Sequence, residues 1–159
     1  MKRRVVITGL GALSPIGNNV NDFWSAIKAG KSGAAPITKF DTEKFKVSFA
    51  CELKGYDPLQ FFDSKEVRKY DLFSQYALVA VAEAVEQANI DFESLNRDRI
   101  GVIWGSGNGG IQTFQDQMLE YCQGDGTPRF TPYFIPRILV DIASGIISIK
   151  YIFNTKINP

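Results

Sequence analysis

Three basic residues, Lys65, Arg68 and Lys69, stand at i, i+3 and i+4, the spacing that gathers side chains on one face of a helix. Such a face is either simply solvated or docks an acidic protein or phosphorylated ligand; on spacing alone the solvated reading outweighs the other. Two glycine-rich stretches also suggest chemistry. "GLGALSPIG", residues 9–17, follows the apolar run "RRVVIT" with Gly9 and Gly11 in the first two places of a dinucleotide-binding turn, but Ser14 holds the third. A phosphate at such a turn needs a helix starting at once, with free N–H groups aimed at the anion. Pro15 stands in the way, so this loop reads as a structural turn. "GSGNGG", residues 105–110, lacks the Lys-Ser/Thr ending of a P-loop; its glycines allow close backbone approach to a ligand or another segment.

Nucleophiles are scarce. Cys51 and Cys122 are the only cysteines and histidine is absent, so neither a Ser-His nor a Cys-His system can be assembled from these residues. No cluster of lysine, carboxylate or tyrosine substitutes for one. Two scattered cysteines make neither a disulfide framework nor a zinc site and suit a reducing compartment. Cys51 reads as a small core hydrophobe and Cys122 as structural or exposed, since no cation stands by to activate it. No catalytic residue and no metal ligand is assigned.

The elements that must position these groups follow from pattern. Arg4–Thr8 is β-branched and near-continuously apolar, which predicts a central strand covered on both faces. Asn19–Ala29 carries Val20, Phe23, Trp24 and Ile27 at helical spacing, with Gly30 as a stop. Lys31–Lys46 is irregular, and Val47–Glu52 alternates as a strand with Val47, Phe49 and Cys51 on one face. Asp63 with Glu66 predicts a capped short helix, and Asp71 opens a second, "DLFSQYALVAVAEAVEQANI", apolar around most of its circumference. Ile100–Trp104 is another β-rich run ending in glycines, "IQTFQDQMLEYC" is a helix stopping near Gly124, and Pro128, Pro132 and Pro136 segment the chain before the apolar "ILVDIASGIISIKYIF". Strands ending in glycine clusters between apolar helices predict an α/β layered protein. The strands are few for a complete parallel sheet, so large exposed apolar patches are expected.

The composition, 45% hydrophobic and 22% charged over 159 residues, is that of one globular domain. A net charge of +1 provides no field to attract nucleic acid or an anionic membrane surface. No apolar run reaches the roughly 20 residues of a membrane span. The start, Met1-Lys2-Arg3-Arg4, lacks a signal-peptide cleavage region, and a cytoplasmic protein is expected.

Several stretches converge on one family. "VVITGLGALSPIG", "FWSAIKAGKSG", "SKEVRKYDLFSQYALVAVAEAVEQA", "IGVIWGSGNGG" and "TPYFIPRILVDIASGIISIKY" resemble, in order and spacing, the N-terminal part of β-ketoacyl-[acyl carrier protein] synthases, above all the type II elongating enzymes of bacterial fatty acid synthesis. The resemblance runs colinearly from residue 1 to about residue 151. It implies a thiolase-like layered α-β-α fold with only the N-terminal half or less present, so that residues 1–159 form one incomplete N-terminal synthase-like domain. The activity implied is decarboxylative Claisen condensation of acyl and malonyl thioesters, needing no metal or organic cofactor. The implied partners are acyl carrier protein and a second copy in a homodimer.

Residue by residue, the resemblance makes Lys65, Arg68 and Lys69 the docking face for the acidic carrier protein, which reverses the weighing made on spacing alone. It places Asn108 in the acyl pocket, a polar side chain where the family often has an apolar or aromatic one, and puts Tyr133 and Phe134 along the acyl channel near the dimer interface. The family's nucleophilic cysteine lies just beyond the segment matching "SIKY", and its two histidines further on; neither Cys51 nor Cys122 matches the nucleophile, and "IFNTKINP" departs from the glycine-proline pattern expected after Tyr151. This chain is therefore expected to be inactive alone. The alternative is a non-catalytic, synthase-like module for carrier binding or dimerisation.

Overall fold

A computed structural model describes residues 4–151. In chain order these form helix α1 (Val20–Lys28), strands β1 (Ala35–Pro36) and β2 (Phe49–Ala50), and helices α2 (Ser64–Lys69), α3 (Leu72–Ala88), α4 (Ile111–Gln123), α5 (Phe134–Ile138) and α6 (Ile142–Lys150). Short 3-10 turns lie at Pro58–Gln60 and Arg97–Arg99. The described residues divide into two compact units, one running to Asp57 with Val79–Asn89 added, the other comprising Pro58–Leu78 and the chain from Ile90 onward. Helix α3 thus gives its first turns to the second unit and the remainder to the first. The departure noted in "IFNTKINP" lies outside the described residues.

In the first unit, α1 forms where the periodicity predicts it. The Asn19 side chain accepts a hydrogen bond from the Asp22 amide at 2.8 Å, Lys28 sits at the carboxyl end, and Gly30 at φ +62° turns the chain away. The loop before it is pinned by an antiparallel bridge between Ser14 and Gly17 that encloses Pro15 and Ile16. Gly9 and Gly11 lie directly on the backbone of α3: a Cβ at Gly9 would stand 2.0 Å from the Ala84 carbonyl oxygen, and one at Gly11 1.7 Å from that of Ala80. These glycines serve helix-on-loop contact, and the alanines beneath them at i and i+4 keep the helix surface low enough to permit it.

Strands β1 and β2 pair antiparallel, with Ala35 opposite Ala50 and Pro36 opposite Phe49. The sequence pattern over Val47–Glu52 is therefore realised only at Phe49–Ala50, and its partner comes from a stretch that reads as irregular. Val47, Phe49 and Cys51 are exposed, which corrects the placement of Cys51 in a core. A two-residue ladder orders an edge, and among the described residues no layer covers that face.

The second unit begins with a capping box. The Asp63 carboxylate accepts from the amides of Lys65 and Glu66 at 2.7 and 2.8 Å, and Glu66 reaches back to the Asp63 amide at 3.2 Å. Helix α2 ends at Tyr70, whose carbonyl accepts from the Gln75 side chain at 2.9 Å, so a buried glutamine on α3 satisfies an orphan carbonyl of α2. Among the described residues, Phe62, Ala77, Leu78, Ala143 and Ile147 are the buried apolar side chains of this unit. Helix α4 stops at Gly124 as its sequence predicts, and it packs on α5 through rings. Phe114 stacks on Phe134 with centroids 6.2 Å apart, and Phe130 lies 5.1 Å from Phe134.

Two expected strands do not form. Arg4–Thr8 and Ile100–Trp104 have no ladder partner, the pair β1–β2 being the only sheet among the described residues. Val5 is 90% exposed, Ile7 82%, and Ile103 fully so. The physical reason is that a near-continuous apolar strand is stable only between neighbours that take its N–H and C=O groups and layers that cover both faces; the described residues provide neither. The exposed apolar patches expected from the pattern are present.

Candidate functional site

The basic face is built as its spacing requires. Lys65, Arg68 and Lys69 all lie on α2 and all are exposed. The Arg68 Nε donates to the Ser64 carbonyl at 3.1 Å, and the Lys69 ammonium rests over the Tyr70 ring at 5.4 Å. Among the described ion pairs none involves these three side chains. Amide donors from Glu66 and Lys65 hold the Asp63 carboxyl below its ordinary range. Asp63 and Glu66 are engaged in the cap, and the Lys65 charge adds only a lesser attraction to Asp63.

The first glycine loop is closed to phosphate. Two of its amides and the first of α1 are already taken by side chains of α3: Ala12 N and Val20 N donate to the two carboxylate oxygens of Glu83 at 2.8 Å each, and Leu10 N donates to the Gln87 side chain. A carboxylate occupies the position where an anion would have to sit, so this loop is a turn clamped onto a helix. Glu83 was not singled out by sequence reasoning; its signal is an acid, one of two with Glu86, on a helix that is otherwise apolar around most of its girth.

The second glycine loop borders a recess of about 250 Å³ lined by Asn108, Gly110, Ile111, Phe114 and Ile138. Gly109 takes φ +57° and lies against α5, where a Cβ would meet the Ile138 carbonyl oxygen at 2.5 Å. Gly105 and Gly107 face open space. Asn108 and Phe114 share the recess, and Phe134 stacks on Phe114 from α5. Tyr133, at the start of α5, is 41% exposed and does not line it.

Behind that recess lies a polar cluster that spacing did not reveal. Asp71 and Thr113 are 8% and 6% exposed. The Thr113 hydroxyl donates to Asp71 Oδ2, and Arg137 Nη2 approaches the same oxygen at 3.8 Å. Asp71 was legible as a helix start, but its partners are 42 and 66 positions away and no local pattern links them. Neither cysteine joins a site: Cys51 and Cys122 are both exposed and free. Among the described residues no group of His, Cys, Asp or Glu is arranged to hold a metal ion, and no helix is long and apolar enough to cross a membrane.

Comparison with known proteins follows the same path along the chain. It is 44% identical over 153 residues to 3-oxoacyl-[acyl-carrier-protein] synthase 2 of Coxiella burnetii, an alignment covering 94% of this chain and 36% of that protein. The like-named protein of Synechocystis is 39% identical over 149 residues, again with 94% and 36% covered. The chain thus spans little more than a third of the length of these relatives. Among solved structures, the ishigamide ketosynthase/chain length factor superposes with a TM-score of 0.83 at 30% identity, covering 97% of this chain and 38% of its own. A type II polyketide acyl-carrier protein in complex with its ketosynthase superposes at 0.79 and 27% identity, covering 98% and 41%. The backbone is therefore that of an N-terminal piece of the thiolase-like fold, even where its central runs lack ladder partners. Residues 2–156 match the model of the β-ketoacyl synthase N-terminal domain, and the chain belongs to that family.

Proposed function

We propose that this chain is the N-terminal segment of a 3-oxoacyl-[acyl carrier protein] synthase that elongates acyl chains in fatty acid biosynthesis, and that residues 1–159 act as one incomplete domain of it. The observation that carries the reading is the 44% identity to a synthase of that name along 94% of the chain. In the intact enzyme a cysteine thiolate takes the acyl group from the carrier thioester and releases the carrier thiol. A malonyl thioester then loses carbon dioxide, and the resulting carbanion attacks the acyl thioester and expels the cysteine. Two histidines stabilise the developing oxyanion. This chain contains no histidine, so alone it condenses nothing. The intact enzyme is a cytoplasmic homodimer that requires no cofactor.

The chain's own contribution is recognition. Lys65, Arg68 and Lys69 dock the acidic carrier protein, and Asn108, Tyr133 and Phe134 border the path of the acyl tail. The exposed basic face, which forms no ion pair among the described residues, on a helix fixed by a capping box supports the first assignment. Reversing all three charges removes attractive terms of about 0.2–1 kcal/mol each and adds repulsion of similar size. Carrier affinity, measured by titration calorimetry at low salt, should fall by about tenfold or more, and the salt dependence of binding should flatten. Unchanged affinity in the reversed variant overturns the docking assignment. A second reading is a non-catalytic carrier-binding or dimerisation module. The two readings part on complementation: a synthase segment restores condensation when the remainder of the enzyme is supplied, whereas a non-catalytic module does not.

A further inference from the structure

We infer that Asp71 is a positioning residue that sets the width of the Asn108 recess, and with it which acyl length the recess prefers. This rests on the reading of that recess as part of the acyl path. A single atom, Asp71 Oδ2, meets all three segments that form the walls. From α4 it receives the Thr113 hydroxyl, and Thr113 lies between the lining residues Ile111 and Phe114. From α5 it faces Arg137 Nη2 at 3.8 Å, and Arg137 precedes the lining residue Ile138. From the glycine loop it faces Gly110, itself a lining residue, where a Cβ would stand 2.9 Å from Asp71 Oδ2 and 2.1 Å from the Arg137 carbonyl oxygen.

The chemistry of that contact gives it more than a filling role. Burying a carboxylate is costly unless it is partnered, and an apolar side chain of like volume would serve stability as well or better. An oxygen held by one directional hydrogen bond from α4 and one ion pair from α5 narrows the spacing of the two helices, whereas apolar packing tolerates several. Arg137 depends on the same anchor, since its buried Nε has no hydrogen-bond partner and Asp71 is the carboxylate it meets. When the hydroxyl or the charge is lost, α5 is free to shift relative to Phe114, and the recess changes width.

The test compares two probes on the intact chain, hexanoyl and dodecanoyl cysteamine thioesters, by titration calorimetry with Thr113→Ser, Thr113→Val and Asp71→Asn. A variant that merely destabilises the fold lowers the binding-competent fraction and weakens both probes by the same factor, so the ratio of the two affinities is blind to it. Thr113→Val and Asp71→Asn should shift that ratio by about fourfold or more, the discrimination one buried methylene supplies. Thr113→Ser, which keeps the hydroxyl, should retain it. A wild-type ratio in both Thr113→Val and Asp71→Asn overturns this inference and leaves the acyl-path reading standing. Failure of the wild-type chain to bind either thioester overturns the acyl-path reading and this inference with it.

Discussion

Replacing Gly11 by alanine tests the account of the first glycine loop. The added Cβ would lie 1.7 Å from the Ala80 carbonyl oxygen, 2.7 Å from its carbon and 3.1 Å from the Ala84 nitrogen. An ordinary C···O approach is about 3.3 Å, so the loop must retreat by about 1.6 Å. A retreat of that size stretches the 2.8 Å bond from Ala12 N to Glu83 beyond hydrogen-bonding range. Overpacking costs about 1–3 kcal/mol and the lost charge-assisted bond about 1.5–3. The lower unfolded-state entropy of alanine returns about 0.4–1. The net loss is about 1.5–5.6 kcal/mol, a large share of the stability of a domain. Urea unfolding followed by far-ultraviolet circular dichroism should show a lower midpoint at unchanged slope. Because the obstruction is backbone, adding Ala80→Gly should not restore stability. A Gly11→Ala variant within about 0.5 kcal/mol of the parent, the range of an ordinary surface change, or one rescued by Ala80→Gly, refutes the close-contact reading.

Two further outcomes can be measured on the same chain. The Asp63 carboxyl titrates below its ordinary value because the Glu66 and Lys65 amides bond to its charged form; its stabilisation of α2 is present above the ordinary value of 3.8 and is lost as pH falls through the lower folded value. The Glu66 amide resonance should follow that titration, while Asp63→Asn should keep the cap and lose the pH dependence; a pH-independent Glu66 amide in the parent contradicts the cap. Cys51 and Cys122 are both exposed, so a disulfide reagent should label two thiols in the native chain about as fast as in denaturant, and protection of Cys51 would restore it to a core.

Local chemistry was legible wherever one short stretch decides the outcome. Asn19 and Gly30 bound α1, Asp63 with Glu66 opens α2, and Gly124 closes α4, because caps act over a single turn and involve adjacent residues. The strands were not legible in the same way. The β-branched run at Arg4–Thr8 states a preference for extended chain, but a strand exists only by what lies beside it. With Ile7 and Ile103 turned to solvent, the preference is expressed as extended backbone without a ladder. The same dependence explains Cys51: alternation assigns it to a face, and only a covering layer could make that face a core.

The functional groups divide along the same line, between what one element presents and what several must assemble. The basic triad needed nothing beyond helical spacing to be placed, since a six-residue helix presents all three side chains to solvent. The polar groups that decide what the glycine loops do come from distant positions. Glu83 closes the first loop to anions from 71 residues away, and Asp71 reaches 42 residues to Thr113 beside the second. Glu83 lies within α3 and Asp71 immediately before its first residue; the helix's apolar girth marks it for burial, and a charge beside or within it has to find partners or be expelled. The partners it finds are the loops. An acid on or at the start of a buried-type helix, beside glycine-rich turns, is thus a legible sign that the turns are held there, even though the sequence leaves unstated which amide or hydroxyl it will hold.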